Sequence, residues 1–302
     1  MYYFALITSD FCKQAEVALI SFFHYNDILL NLYVVDDGYD KVVAYFKNRY
    51  YSDKLNIISY YSKEFDEDVK QLPISDNKKK FPIKTQITTL YMFRILDEIK
   101  DDEIVRIDLD VMYFEKIDFT KYDHALSGTR EISFDYPKEW HESKFQINIG
   151  VAKYIKSKFN LKNSFTDEMF RRLQADGEYY LIPDQDIINE LTDDKFATPD
   201  YIITAGTHYD AGIRIHGLHF TSTCFKPWII HSNDIDFFMN NNKGLFFIVY
   251  EHFARHTNIF IKEASTNVKL LKEYDPNRIY YTSLANKPEF DRLCKEIDSW
   301  RI

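Results

Sequence analysis

Between Tyr3 and Tyr61 the chain alternates short apolar runs with helical patterns, and that order confines it to few architectures. Tyr3–Ile7 is an apolar run that stops at Thr8-Ser9-Asp10. The following stretch, "FCKQAEVALISFFHY", places Phe11, Ala15, Ala18, Leu19 and Phe22 at helical spacing. Leu29–Val35 predicts a second strand, stopping at Asp36-Asp37-Gly38. "KVVAYFKNRYY" predicts a second helix, and Leu55–Tyr61 a third strand. Strands joined through helices lie parallel, so the expected fold class is α/β: a Rossmann-like, mostly parallel central sheet flanked by helices.

The rest of the chain extends this pattern. Ser62–Lys80, with Lys78 to Lys80 near its end, is charged and reads as an exposed loop. Thr85–Lys100 has helical spacing and leads into an apolar strand, Ile104–Ile107. "HALSG" and "FQINIGVAKYI" read as strands. "SFTDEMFRRLQAD" reads as a helix with Ser164 and Asp167 spaced as a cap, and "PDQDIINEL" as a short helix opening at Pro183. We expect a body spanning residues 1–240 and a helical C-terminal extension, 241–302, packed on it through Phe290, Leu293, Cys294 and Ile297.

Composition excludes several classes of function. The net charge of −9 on 302 residues argues against nucleic-acid binding, which needs a basic surface. The cysteines, Cys12, Cys224 and Cys294, form no CxxC pair or disulfide framework, which fits a reducing compartment. No apolar run reaches the length of a membrane span, and the first residues lack a basic leader. The expectation is a cytoplasmic protein with at most peripheral membrane contact.

The chemistry concentrates at "IVRIDLDVMYF", where an apolar strand runs into Asp108 and Asp110. Asp-x-Asp occurs four times in the chain, so spacing alone proves little, and such pairs are often solvated turns. Context separates this pair from the others. It ends a strand that reads as fully buried, and ligands of α/β sheets gather outside the carboxyl ends of the strands. Two carboxylates this close repel unless a cation lies between them.

With three further stretches the chain resembles glycosyltransferase family 8, retaining enzymes of the GT-A fold that use nucleotide sugars. Asp108-Leu109-Asp110 is similar to that family's metal-binding DxD motif. "FQINIGV", with Asn148 and Gly150, resembles its Phe-Asn-x-Gly-Val strand. "PDQDIIN", with Asp184, Gln185 and Asp186, resembles its Asp-Gln-Asp motif. "HFTSTCFKPW", with His219, Lys226, Pro227 and Trp228, resembles its His…Lys-Pro-Trp signature. The resemblance runs from about residue 3 to residue 232. The His219-to-Lys226 gap is one residue longer than usual, and Ser222 and Thr223 stand where the family carries glycine.

The resemblance implies a set of roles. Asp108, Asp110 and His219 would hold a divalent ion, with His216 as a second candidate ligand. Two carboxylates and an imidazole suit Mn²⁺ better than Mg²⁺, though Mg²⁺ remains an alternative. Thr8, Asp10 and Arg94 would contact the nucleotide, and Lys226 its diphosphate. Asn148, Asp184, Gln185 and Asp186 would surround the transferred sugar. Gln185 would lie near the anomeric carbon; a glutamine is a poor nucleophile, so stabilisation is the expected role. The implied reaction moves a hexose, galactose or glucose, from a UDP-sugar to a saccharide or glycolipid acceptor such as a lipopolysaccharide or capsule precursor.

Two other readings compete. A phosphohydrolase of the haloacid-dehalogenase type also places Asp-x-Asp after a buried strand. It normally carries threonine or valine where this chain has Met112, and places the pair near the N-terminus. A non-catalytic nucleotide-sugar-binding relative is the other alternative.

Overall fold

The computed structural model describes residues 1–74, 83–131, 145–198, 203–204, 214–220, 244–257 and 287–301. Strands β1 (Tyr2–Ile7), β2 (Leu30–Val34) and β3 (Leu55–Ser59) are linked through helices α1 (Cys12–Tyr25) and α2 (Tyr39–Phe46). Helices α3 (Lys63–Lys70) and α4 (Ile83–Glu98) then lead to β4 (Glu103–Ile107). After β4 come β5 (Val111–Tyr113), β6 (Leu126–Arg130), β7 (Ile147–Ile155), helices α5 (Phe165–Asp176) and α6 (Pro183–Glu190), and the short strands β8 (Lys195–Ala197), β9 (Ile203–Thr204) and β10 (Gly217–His219). Helices α7 (Gly244–Thr257) and α8 (Lys287–Asp298) follow.

The central sheet has the order β3-β2-β1-β4-β7-β6-β8. The strands β3, β2, β1 and β4 run parallel, as the alternation predicts. β7 pairs antiparallel with both β4 and β6. Because the first four strands point the same way, Thr8, Asp36 and Asp108 follow their strands at one edge of the sheet. A second, three-stranded sheet, β5-β10-β9, lies beyond that edge.

Alternation along the strands divides the interior between the two faces of the sheet. Tyr3, Ala5, Ile7, Val105 and Ile107 join one core with α1, β5 and residues of α7 and α8. Phe4, Ile104, Ala152 and Tyr154 join the other with α3, α4, α5 and α6. The second sheet is tied to α1 by a hydrogen bond from Tyr113 N to Ser21 Oγ, 3.0 Å, and the chain after β5 to the end of α1 by one from Ile117 N to Asn26 Oδ1, 3.1 Å. The C-terminal helices dock on the same side. Trp300 packs on Phe114 and Phe253, and its indole N–H donates to Tyr25 Oη at 3.2 Å.

Two expectations need correction. The charged stretch after β3 is not all loop: Lys63–Lys70 is a helix. Its charge hides an i, i+4 apolar pair, Phe65 and Val69, both buried against α4. Ser62 caps it, accepting from Phe65 N at 3.2 Å. The second helix stops at Phe46, short of the predicted stretch, and a 3-10 turn at Ser52–Lys54 precedes β3. Lys78 to Lys80 lie outside the described residues.

The cap gives a direct check on α3. Ser62→Ala removes the acceptor for a first-turn amide and should cost about 1 kcal/mol in equilibrium chemical denaturation. A change near zero would mean the helix is held by its Phe65–Val69 stripe alone.

Candidate metal and sugar-nucleotide site

The site is built where the chain leaves one sheet for the other. β4 ends at Ile107, and Asp108-Leu109-Asp110 forms the turn into β5. The two aspartates therefore flank a turn, whereas simple alternation would have kept them on one strand. The β4–β7 ladder continues one step past the strand, with Asp108 N donating to Gly150 O at 2.6 Å. On the other side β10 runs antiparallel to β5, pairing His219 with Val111, and Phe220 N donates to Asp110 O at 2.9 Å. That pairing carries an imidazole 109 positions later in the chain to the second aspartate.

His219 Nε2 lies 3.2 Å from Asp110 Oδ1 and 3.8 Å from Asp108 Oδ2. One ligand atom from each of Asp108, Asp110 and His219 lies within 4.8 Å of the others. Two donors bound to one ion at about 2.1 Å, at right angles, stand about 3 Å apart, so the trio fits a single divalent cation. His219 is buried, and its Nδ1 has no hydrogen-bond partner among the described residues. Burial holds the Asp108 carboxyl above the ordinary range; Arg106 and His219 pull it down, and Asp110 and Asp184 push it up. His216, the other candidate, lies at the far end of the pairing with its Nδ1 2.7 Å from Glu115 Oε2.

Gly150 makes the close approach feasible. A Cβ at this position would collide with His219 Cε1 and lie 2.9 Å from Asp108 Oδ2. A glycine loosens a strand, and here its missing Cβ is what admits the imidazole.

The expected sugar-side residues cluster beside it. Asn148 and Gln185 are buried, and both donate to one oxygen, Glu131 Oε2: Asn148 Nδ2 at 2.7 Å and Gln185 Nε2 at 3.0 Å. Their carbonyl oxygens are also engaged. Asn148 Oδ1 accepts from Gly150 N at 3.0 Å, and Gln185 Oε1 from Ile149 N at 3.3 Å. Asp184 Oδ2 accepts from Arg106 at 2.9 Å. Asp186 turns back toward the chain entering α6, its Oδ2 accepting from Leu181 N and Ile182 N at 2.9 and 3.0 Å.

Arg106 and Glu131 are functional candidates that the motif reading missed. No spacing motif marks Glu131, which follows β6 and sits opposite Gln146. Arg106 carried a usable signal: an arginine within an apolar strand, two residues before Asp108 and so on the same strand face.

At the carboxyl ends of β1, β2 and β3 there is a cleft of about 330 Å³, lined by Thr8, Asp36, Asp37, Tyr61, Lys84 and Thr88 among others. Thr8 Oγ1 donates to Asp10 Oδ1 at 2.5 Å, and Lys84 Nζ to Asp10 Oδ2 at 2.8 Å. These bonds outweigh partial desolvation and hold the Asp10 carboxyl below the ordinary range. Arg94, on α4, packs against aromatic rings. Its guanidinium lies 5.2 Å from the ring centres of Tyr60 and Phe65 and reaches toward Glu98. Lys226, Pro227 and Trp228 lie outside the described residues.

No family model matches the chain, and no curated protein matches it in sequence. Solved structures do match. The galactosyltransferase LgtC, crystallised with donor and acceptor sugar analogs, superposes with a TM-score of 0.57 at 16% identity, covering 77% of this chain and 90% of that one. The bifunctional glycosyltransferase WbbM gives 0.53 at 13% identity, over 80% of this chain and 49% of its own. GlyE of Streptococcus pneumoniae TIGR4, a glycosyltransferase, gives 0.52 at 17% identity, over 76% of this chain and 57% of its own. The likeness shows the fold. The chain has the GT-A architecture of glycosyltransferases, as its resemblance to family 8 implies.

The close approach at Gly150 can be tested without substrate. Gly150→Ala should drive the imidazole off its position, abolish Mn²⁺ binding in isothermal titration and destabilise the fold by about 1–3 kcal/mol. Mn²⁺ affinity retained in a folded variant would place the ion elsewhere.

Proposed function

We propose that this protein is a metal-dependent retaining glycosyltransferase that moves a hexose, galactose or glucose, from a UDP-sugar to a saccharide or glycolipid acceptor. The observation that carries the reading is the meeting of Asp108, Asp110 and His219, drawn from two sheets, at the ligand edge of a GT-A fold. A structural ion pair would not need two aspartates facing one imidazole. A diphosphate leaving group does need positive charge at that edge.

Asp108, Asp110 and His219 would hold the ion, Mn²⁺ ahead of Mg²⁺ because the set includes nitrogen. When bound it would supply a Lewis acid to offset negative charge growing on the departing diphosphate. The cleft above β1–β3 would take the nucleoside, with Thr8 in its lining and Asp10 bonded to Thr8 and to Lys84 of that lining. Asn148 and Gln185 would orient the sugar. Glu131 holds both amides from behind, so they are set before the donor arrives rather than reorganised by it. Gln185 is engaged at both ends of its amide. That supports a role in stabilising positive charge at the anomeric carbon rather than attacking it. Among the described residues no helix is long and apolar enough to cross a membrane, so a lipid-linked acceptor would be met at a surface.

The reading is tested by a donor-hydrolysis screen of UDP-, GDP- and CMP-sugars with Mn²⁺ or Mg²⁺. We expect slow Mn²⁺-dependent release of UDP from a UDP-hexose, abolished by Asp110→Asn in a variant that melts as the wild type does. No turnover and no binding of any donor would overturn it. Glu131→Gln should lower kcat about 10²-fold while KM for the donor changes little, because it misplaces bound groups without removing a binding contact. An unchanged kcat would make Glu131 a packing residue only.

A further inference from the structure

Arg106 is a buried cation to which the motif resemblance assigns no role. It lies in β4 on the same strand face as Ile104 and Asp108 and projects into the core with α4 and α6. Its Nε and one terminal nitrogen reach Asp108 Oδ1 at 3.0 and 2.9 Å. The other terminal nitrogen reaches Asp184 Oδ2 at 2.9 Å and Met92 Sδ at 2.9 Å. The arginine and Asp184 side chains are each 4% exposed. Such a cluster is poorly explained by stability alone, since a buried ion pair is often no better than apolar residues of the same volume.

The geometry around it is asymmetric. Arg106 occupies Oδ1 of Asp108 with two converging donors, and it is Oδ2 that lies nearest His219 Nε2, at 3.8 Å. The same guanidinium holds Asp184, the residue immediately before Gln185 at the start of α6. We propose that Arg106 is a positioning residue: it restricts Asp108 to one coordinating oxygen and fixes Asp184 in the same frame, so that the cation side and the sugar side of the site are set by one planar group. The inference rests on the cation site of the proposed function, but not on turnover.

The fork is the essential property. A lysine keeps the charge but offers one point of contact and cannot hold both carboxylates in plane. The experiment is therefore a double-mutant cycle on Mn²⁺ affinity, measured by titration of the donor-free protein, with Arg106→Lys, Asp184→Ala and the double variant, each checked by thermal melting. Arg106→Lys should weaken Mn²⁺ binding roughly 10-fold or more with the net charge unchanged. Asp184→Ala should weaken it by a similar factor in the wild type but by less than about 2-fold beside Arg106→Lys, because its effect travels through the arginine. A plain through-space effect of the lost Asp184 charge would persist in both backgrounds and overturns the proposal. So does Mn²⁺ affinity within about 2-fold of wild type in both single variants. If Arg106→Lys does not fold, Asp184→Glu decides alone, because it keeps the charge and displaces the carboxylate from the guanidinium: a roughly 10-fold loss supports the proposal and an unchanged affinity overturns it. Wild-type protein that binds neither Mn²⁺ nor Mg²⁺ overturns this inference and the metal-dependent reading together. Tight binding in the wild type with equal binding in the variants removes only the role of Arg106.

Discussion

Asp108, Asp110 and Asp184 bring three carboxylates to one region at the edge of a sheet, and the local structure depends on how their mutual repulsion is relieved. Arg106 answers Asp108 and Asp184 from below, through the core shared with α4 and α6. His219 faces Asp108 and Asp110 from the side of the second sheet. Two fixed nitrogen-bearing groups thus bracket the acids from opposite faces. On the proposed reading, a divalent ion would sit between Asp108, Asp110 and His219.

The two sheets divide the labour. The large sheet supplies parallel strand ends, and with them Thr8, Asp36 and Asp108 at one edge. Antiparallel β7 then runs back along β4 and brings Asn148 and Gly150 past that edge, where α6 presents Asp184 and Gln185. The small sheet exists to deliver His219: β5 leaves the edge directly after Asp110, and β10 returns beside it. The C-terminal helices reinforce this second sheet through Trp300, Phe114 and Phe253, so residues far from the chemistry hold its backing in place.

Much of this was legible in the residues, and the gaps have physical reasons. The strand–helix alternation up to β3 is a local pattern, and it appears in the structure within a few residues. The meeting of Asp108, Asp110 and His219 is a long-range fact. It was reachable only because whole motifs, and not single residues, resemble those of a known family. Glu131 and Arg106 were missed because each acts through partners brought close by sheet pairing or by α6, and no spacing in the chain encodes that. Arg94 stands at a helical position where the motif suggests a nucleotide contact, and its guanidinium lies over the aromatic rings of Tyr60 and Phe65. Lys63–Lys70 looked like loop because its net polarity masks two buried residues one helical turn apart.

The antiparallel pairing of Val111 with His219 has a consequence for how the protein matures. A chain emerging from the ribosome displays both aspartates long before the imidazole has been synthesised, and the parallel strands around them can already associate. On the proposed reading, competence to hold an ion thus arrives late, at a pairing of residues 109 positions apart in the chain. Until then Arg106 can already answer Asp108 from within β4, which makes that arginine an internal counter-ion of the nascent fold.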